Sequence, residues 1–467
     1  MTLKFSAEYA TAAKIGPEHG LDLSTGLARY GSALQNALKT IYAKKNESGA
    51  WLRWLTLGEN PGLLNDFDAY CGRVKNQFDD LVILGIGGSS LGGYAVLRAL
   101  LHPNWNLLSP QQRNGFPRFH FIENVDPDQV QALLDVVDLK RTLVNVISKS
   151  GTTAETMAAF MLIKSKLEAE LGPEAARKHI VATTDKSKGI LRQLCTEMQY
   201  DSFEVPDDVG GRFSVFSAVG LLPAALCGIN VRSMLSGVHD ISEQVQALPA
   251  EQNPAIMGTL VQYLALTSGK PISVFMPYSW RLASVADWYV QLWAESLGKK
   301  TNLHGQIVNT GATPLKAVGV TDQHSQIQLY NEGPFDKIVT FIEVERFNDH
   351  QLMIPDSLPQ VDALKHLANQ PFSKLLASEF AGTRTSLMKN QRPSVTLTLP
   401  AVDAYSVGQL LMLIEIQTAL MGALLEIDPF DQPGVELAKR YTDALMGKPG
   451  YDAERAELGL KQPASIS

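Results

Sequence analysis

The sequence predicts an α/β protein built on two doubly wound, mainly parallel sheets flanked by helices. Short apolar runs with the character of buried strands alternate with amphipathic helical stretches, the pattern of parallel sheets covered on both faces. The alternation occurs in two series along the 467 residues. The first run, moreover, empties into a glycine-rich turn that opens a helix, LVILGIGGSSLGG at residues 81–93, an arrangement that offers backbone N–H groups to an anion.

The elements follow in order. A mostly helical opening runs to about residue 75. Strands are expected at 81–87, 118–125, 142–150, 179–185 and 201–206, separated by helices. The apolar stretch Ser214 to Val231 carries serines, two glycines and Pro223; it is short for a membrane span and reads as a core helix with its approach. A second series of strands is expected at 271–279, 337–344 and 394–400. A long apolar helix near 405–426 and a last helix near 433–446 complete the globular part. The corresponding domains are 1–75, 76–232, 233–447 and a tail, 448–467, whose end AELGLKQPASIS reads as mobile.

Composition removes several classes of function. A content of 45% hydrophobic and 19% charged residues is that of an ordinary globular chain, long enough for two or three domains. A net charge of -7 without long Lys/Arg runs argues against nucleic acid or an acidic membrane as partner. Three widely spaced cysteines, Cys71, Cys195 and Cys227, suggest neither a disulfide framework nor a zinc site. The opening MTLKFSAEYATAAKIG lacks the apolar run of a secretory signal, so the expected location is cytoplasmic.

In open parallel sheets ligands bind beyond the carboxyl ends of strands, so the loops there are the place to look. The first fits no nucleotide motif: Ser90 stands at the third glycine position of the dinucleotide fingerprint, and Gly87 to Gly92 lacks the lysine of a P-loop. Gly88-Ser89-Ser90-Leu91-Gly92 does match the G-x-S-x-G nucleophile elbow of serine hydrolases. That reading also needs an acid, a histidine and an oxyanion loop; no His-Gly-Gly segment precedes the elbow, although His324 or His350 could serve. A second strand ends in Ser148-Lys149-Ser150-Gly151-Thr152-Thr153. Thr152 and Glu155 make a capping box there, which leaves Ser148, Ser150 and Thr153 over. Hydroxyls and N–H groups without neighbouring metal-binding carboxylates suit a phosphate monoester better than a magnesium triphosphate.

Four further stretches carry chemistry. Asp208-Val209-Gly210-Gly211-Arg212-Phe213-Ser214 puts a fixed cation after two glycines, where the backbone can approach a ligand closely. Leu282 to Leu297 reads as a helix ended by Gly298, with Gln291 and Glu295 four apart on one face. A carboxylate in the last turn of a helix meets the negative end of its dipole, which favours the proton uptake asked of a general base. Thr321-Asp322-Gln323-His324-Ser325 holds a histidine in an inter-element loop, a fair acid/base candidate. Phe430 to Lys439 reads as a proline-initiated helix carrying Lys439.

Taken together, the motifs GIGGSSLG, SKSGTTAET, DVGGRFSVFSAVG and FDQPGVELAK resemble the phosphoglucose isomerase family, from about residue 80 to 446 and in the family's order. AESLGK around Glu295 and TDQHS around His324 fall where the family keeps its base and its histidine. The resemblance implies two sugar-isomerase domains and interconversion of glucose 6-phosphate and fructose 6-phosphate through ring opening and a cis-enediolate. It implies Glu295 as the base that moves a proton between C2 and C1, Arg212 as the cation facing the intermediate, and His324 with Lys439 as the ring-opening groups. Gly88, Ser89, Ser148, Lys149, Ser150, Thr153, Gly211, Gln291 and Gln432 would contact the sugar phosphate. No metal or organic cofactor is implied. The family typically dimerises with the histidine supplied by the neighbouring subunit, so a homodimer with a shared active site is expected.

Departures from the family pattern are few. The phosphate loop is SKSGTT where animal members read SKTFTT, Ser90 stands where they have Asp, and Pro433 replaces a Trp; acceptance of mannose 6-phosphate stays open. Two other readings remain at this point. One is a phosphosugar-binding regulatory module, which would need neither Glu295 nor Lys439. The other is the serine hydrolase using Ser90.

Overall fold

Two five-stranded sheets organise the chain in a computed structural model that describes residues 3–59, 61–347 and 352–460. Strands are numbered in chain order. The first sheet holds β2 (Asp80–Leu84), β3 (Arg118–Ile122), β4 (Thr142–Ile147), β5 (Ile180–Thr184) and β6 (Asp201–Glu204), all parallel, in the order β3-β2-β4-β5-β6. The middle strands β2, β4 and β5 are buried along their whole length, which is why they read as unbroken apolar runs rather than alternating ones.

The second sheet holds β1 (Lys4–Ser6), β7 (Ile272–Pro277), β10 (Thr313–Lys316), β11 (Lys337–Arg346) and β12 (Ser394–Ala401). Its order is β1-β12-β11-β7-β10, parallel except for β1, which pairs antiparallel with β12. Between β7 and β10 a short antiparallel hairpin, β8 (Lys299–Thr301) and β9 (Ile307–Thr310), stands apart from both sheets. Every strand expected from the sequence is present. The opening is mostly helical, as expected, and also holds β1; the second sheet gains β10.

The apolar helix Ala404–Leu424 is the centre of the core. It is long and apolar enough to cross a membrane, yet 89% of its most apolar window is buried inside the fold. Two glycines let it approach the helix Val231–Ala247: a Cβ on Gly408 would lie 2.2 Å from the Met234 carbonyl oxygen, and one on Gly237 would lie 2.0 Å from that of Tyr405. Each large apolar side chain fully buried in such a core contributes roughly 1.5–3 kcal/mol.

Part of the expected tail, 448–467, packs against the helix Glu436–Leu445. Asp452–Glu457 is helical, with Glu454 and Arg455 buried, and Arg440 pairs with Glu454 while Arg455 Nη2 donates to the Lys448 carbonyl at 2.9 Å. Residues 461–467 lie outside the described residues. Cys195 and Cys227 are buried and Cys71 half-buried, all as free thiols.

Candidate active site

The strand order of the first sheet reverses at β2: the chain leaves β2 to lay down β3 on one side, then returns to place β4 on the other. At such a switch point a crevice opens beyond the carboxyl ends of the two strands. The loops that follow β2 and β4 are the two singled out by sequence.

After β2 the chain turns at Gly87 (φ +58°), forms a short 3-10 turn over Gly87–Ser89 and enters the helix Leu91–Leu100. Gly88 is pressed against the Gly211 backbone; a Cβ there would lie 2.2 Å from the Gly211 carbonyl carbon. A Cβ on Gly87 would lie 3.0 Å from Gln291 Nε2. The glycines are therefore what allows three distant segments to meet. Ser90 Oγ, by contrast, is buried and donates to the Gly87 carbonyl at 3.3 Å. Among the described residues no histidine bonds to it, so the nucleophile-elbow reading fails: the hydroxyl is turned inward. His350, one of the two histidines considered for that reading, lies outside the described residues.

After β4 the hydroxyls face one another. Ser148 Oγ is 3.2 Å from Thr153 Oγ1 and accepts the Gly151 N–H at 3.0 Å; Ser150 Oγ is 2.7 Å from Thr152 Oγ1 and accepts the Thr152 N–H at 3.1 Å. The expected capping box is not formed. Thr153 is the N-cap of the helix Ala154–Leu171, and its side chain makes no capping bond to the first turn, while Thr152 is held back in the loop by Ser150. Lys149 ties this loop to the next one: its ammonium donates to the carbonyls of Asp207 and Val209 and lies over the Trp51 ring. Burial pushes the Lys149 amine below its ordinary value, with Asp207 opposing.

The Gly211–Phe213 turn delivers Arg212 into the interior. Its guanidinium satisfies its donors in a fan: Nε to Ser296 Oγ at 2.7 Å, Nη2 to the Pro429 and Asp431 carbonyls at 2.6 and 3.0 Å, and Nη1 to Gln432 Oε1 at 2.9 Å and Glu295 Oε2 at 3.4 Å. Burial lowers its pKa, with the Glu295 and Asp431 carboxylates opposing; a guanidinium stays charged regardless. Phe213, the next residue, packs against Trp54 and Phe430, anchoring the turn from beneath.

Gln291 and Glu295 lie on the helix Ala283–Leu297, whose other face buries Trp288 and Trp293. Gln291 Nε2 reaches Glu295 Oε1 at 3.4 Å, and Gln291 Oε1 is buried without a partner among the described residues. The Arg212 cation offsets the negative potential of the helix end at Glu295. Lys299 closes the floor, donating to the Glu295 and Asp431 carbonyls at 2.9 and 2.6 Å, and burial lowers its amine against the pull of Asp431.

Gly88, Gly211, Arg212, Gln291, Glu295 and Gln432 thus form one contiguous cluster, and Lys149 links it to the Ser148–Thr153 loop. Ser89 lies in the Gly87–Ser89 turn. Two predicted residues stay outside. His324 sits exposed on a 3-10 turn, Thr321–His324, and Lys439 is exposed on the helix Glu436–Leu445, paired with Glu436 at 2.7 Å. Neither bonds to the cluster among the described residues. Sequence reasoning missed Ser296 and Lys299, which flank Glu295 within AESLGKK and whose only signal was that adjacency. It also missed the Pro429 and Asp431 carbonyls, which no side chain advertises.

Similar sequences and the same fold occur in known proteins. The phosphoglucose isomerase family matches residues 66–458. Glucose-6-phosphate isomerase of Carboxydothermus hydrogenoformans is 44% identical over 385 residues, 82% of either chain. Among solved structures, a hypothetical protein of Thermus thermophilus superposes with TM-score 0.85 at 34% identity, covering 95% of this chain and 100% of its own. A glucose-6-phosphate isomerase of Chlamydia trachomatis shares the fold with TM-score 0.80 at 22% identity, covering 95% of this chain and 90% of its own. The chain belongs to the phosphoglucose isomerase family.

Proposed function

We propose that the chain interconverts glucose 6-phosphate and fructose 6-phosphate, with the pair Arg212–Glu295 at the chemical centre and the Ser148–Thr153 loop holding the phosphate. The observation that carries this reading is the pairing itself: a carboxylate that reaches solvent set beside a guanidinium that is sealed, at the carboxyl end of the first sheet. In this reading Glu295 removes the C2 proton of the open-chain aldose while the C1 carbonyl takes up the electron pair. The enediolate charge develops where Arg212 already points, an electrostatic contribution that needs no rearrangement at the moment of reaction. Glu295 then returns the proton to C1 as the O2 hydroxyl proton passes to O1 and the C2 carbonyl forms. Carbon C1 is reduced and C2 oxidised within one molecule, so no external redox partner enters.

Ser148, Ser150, Thr153 and the first-turn N–H groups of the Ala154–Leu171 helix supply the phosphate donors; Gly88, Ser89, Gly211, Gln291 and Gln432 line the sugar. Lys149 supports the site mainly as the strut between its two loops. His324 and Lys439 are the ring-opening groups; the exposure of His324 suits a histidine presented to the site of a second copy in a homodimer. The test is a coupled assay of glucose 6-phosphate formation from fructose 6-phosphate. Turnover with solvent hydrogen appearing at C2 of the product supports the reading. Tight binding without turnover would instead mark a phosphosugar-binding module, and no binding at all would overturn both.

A further inference from the structure

The second sheet repeats the reversal of the first. From β7 the chain lays down β10 on one side and returns to place β11 on the other, so a second crevice opens beyond the carboxyl ends of β7 and β11. That crevice is a cavity of about 750 Å³, within the roughly 300–1,000 Å³ of small-ligand sites. Its walls come from the loops the topology predicts. Ser279 and Arg281 follow β7, Arg346 and Phe347 end and follow β11, and Val320 lies beyond β10. Leu101 and His102, just past the Leu91–Leu100 helix, close it from the side of the first sheet. The cluster around Glu295 takes no part in its lining.

Its charge is one-sided. Arg281, Arg346 and His102 line it together with apolar side chains, and among the described residues no Asp or Glu does, in a chain whose net charge is -7. The Arg281 guanidinium makes no hydrogen bond to a described residue, and its Nε is buried without a partner there. The opposite charge that acts on it is that of Asp403, whose carboxylate is committed to the Ser406 N–H at the start of the Ala404–Leu424 helix. A buried N–H left without an acceptor is costly to keep unless something accepts from it. The planar fork of Arg281 matches a carboxylate through two parallel bonds. We propose that this crevice binds an amphipathic carboxylate, its head on Arg281 and its apolar body against Val320, Phe347 and Leu376, the last a cavity residue on the helix Phe372–Lys389.

The test is calorimetric titration of the full chain with sodium decanoate, with decanol and inorganic phosphate as separate arms. The expected result is one saturable decanoate site per chain, with decanol and phosphate each bound at least about tenfold more weakly, the loss of one charge-assisted bidentate pair or of the apolar contacts. Arg281→Met should weaken decanoate by a similar factor, and Leu376→Trp, which fills the cavity, should abolish binding. Should Arg281→Met fail to fold, Arg281→Lys, which keeps the charge but loses the planar fork, is read in the same way. Absence of saturable decanoate binding, decanol bound as well as decanoate, or unchanged affinity in the arginine variants that fold would overturn the proposal. A change of association state by sedimentation in Leu376→Trp would overturn it too, since a second copy of the chain would then be the occupant.

Discussion

Arg212 and Glu295 meet at 3.4 Å with opposite exposure: the guanidinium side chain is 2% accessible and the carboxylate 34%. The cation is therefore fixed from five directions while the carboxylate keeps a path to water. Ser296, the neighbour of Glu295, binds the same guanidinium, so the two partners are registered to one helix turn.

If Glu295 is the shuttling base, Glu295→Gln preserves size and the Arg212 contact but cannot take the proton. Turnover in the coupled assay should fall by about 10²–10⁴, the usual range for general acid–base catalysis, while affinity for the sugar phosphate survives. Exchange of substrate hydrogen with D₂O, followed by proton NMR, should vanish in step. Persistent exchange would place the base elsewhere.

Ser148→Ala removes a hydroxyl that accepts the Gly151 N–H and sits 3.2 Å from Thr153 Oγ1. Losing one hydrogen bond to a charged phosphate costs roughly 1.5–3 kcal/mol, so KM should rise about ten- to a hundredfold with a smaller change in kcat. Ser90→Ala, which loses only an inward bond to Gly87, should leave steady-state turnover nearly intact.

Two glycines should respond in opposite ways to alanine. Gly88→Ala drives a methyl group into the Gly211 carbonyl, a backbone contact that cannot swing aside, and should displace the turn that carries Arg212. Gly382 stands in the helix Phe372–Lys389 with open space where a Cβ would be; alanine there should add roughly 0.5–1 kcal/mol. Urea unfolding with parallel kinetics distinguishes the two: loss of both stability and kcat at 88, a stability gain alone at 382.

Glu415 lies fully buried in the Ala404–Leu424 helix, neither carboxylate oxygen has a partner among the described residues, and burial raises its pKa well above the ordinary 4.5. The folded state therefore holds a proton that the unfolded chain releases once pH exceeds about 4.5. Stability contributed by this group is complete below that value and drains as pH rises toward the folded pKa, by up to about 1.4 kcal/mol per pH unit. Glu415→Gln removes the slope. Thermal melts at pH 5 and pH 8 should show the variant gaining on the wild type as pH rises; a gap independent of pH would contradict the assignment.

Much of the fold was legible because strands buried on both faces cannot avoid being apolar: LVIL and TLVNVI announce β2 and β4. The strand TPLK at β10 carries no such signal; it is a strand because the β7 edge beside it offers a hydrogen-bonding register, which only tertiary structure reveals. β1 has three residues and a partner at the far end of the chain, beyond the reach of any local pattern. In the site, glycines and charged residues stood out because their chemistry is specific to side chain. The capping box at Thr152 was locally sound and lost to Ser150, a competitor for the same hydroxyl. The Pro429 and Asp431 carbonyls, which bind Arg212, are invisible in principle, since every residue owns a carbonyl.

The antiparallel strand β1 also sets an order of assembly. The first sheet spans a continuous stretch, Asp80–Glu204, so it can close while the rest of the chain is still being synthesised. The second cannot: Phe5 lies opposite Leu397, and β1 must wait, unpaired, until β12 has emerged. Once it docks, it covers the free side of β12 with a short strand that presents little edge of its own, the safeguard open sheets use against pairing with strangers. The strand β1, made long before its partner, is thus among the last to find its place, and a chain interrupted before β12 would carry both an orphaned β1 and an uncovered sheet, the combination that invites aggregation.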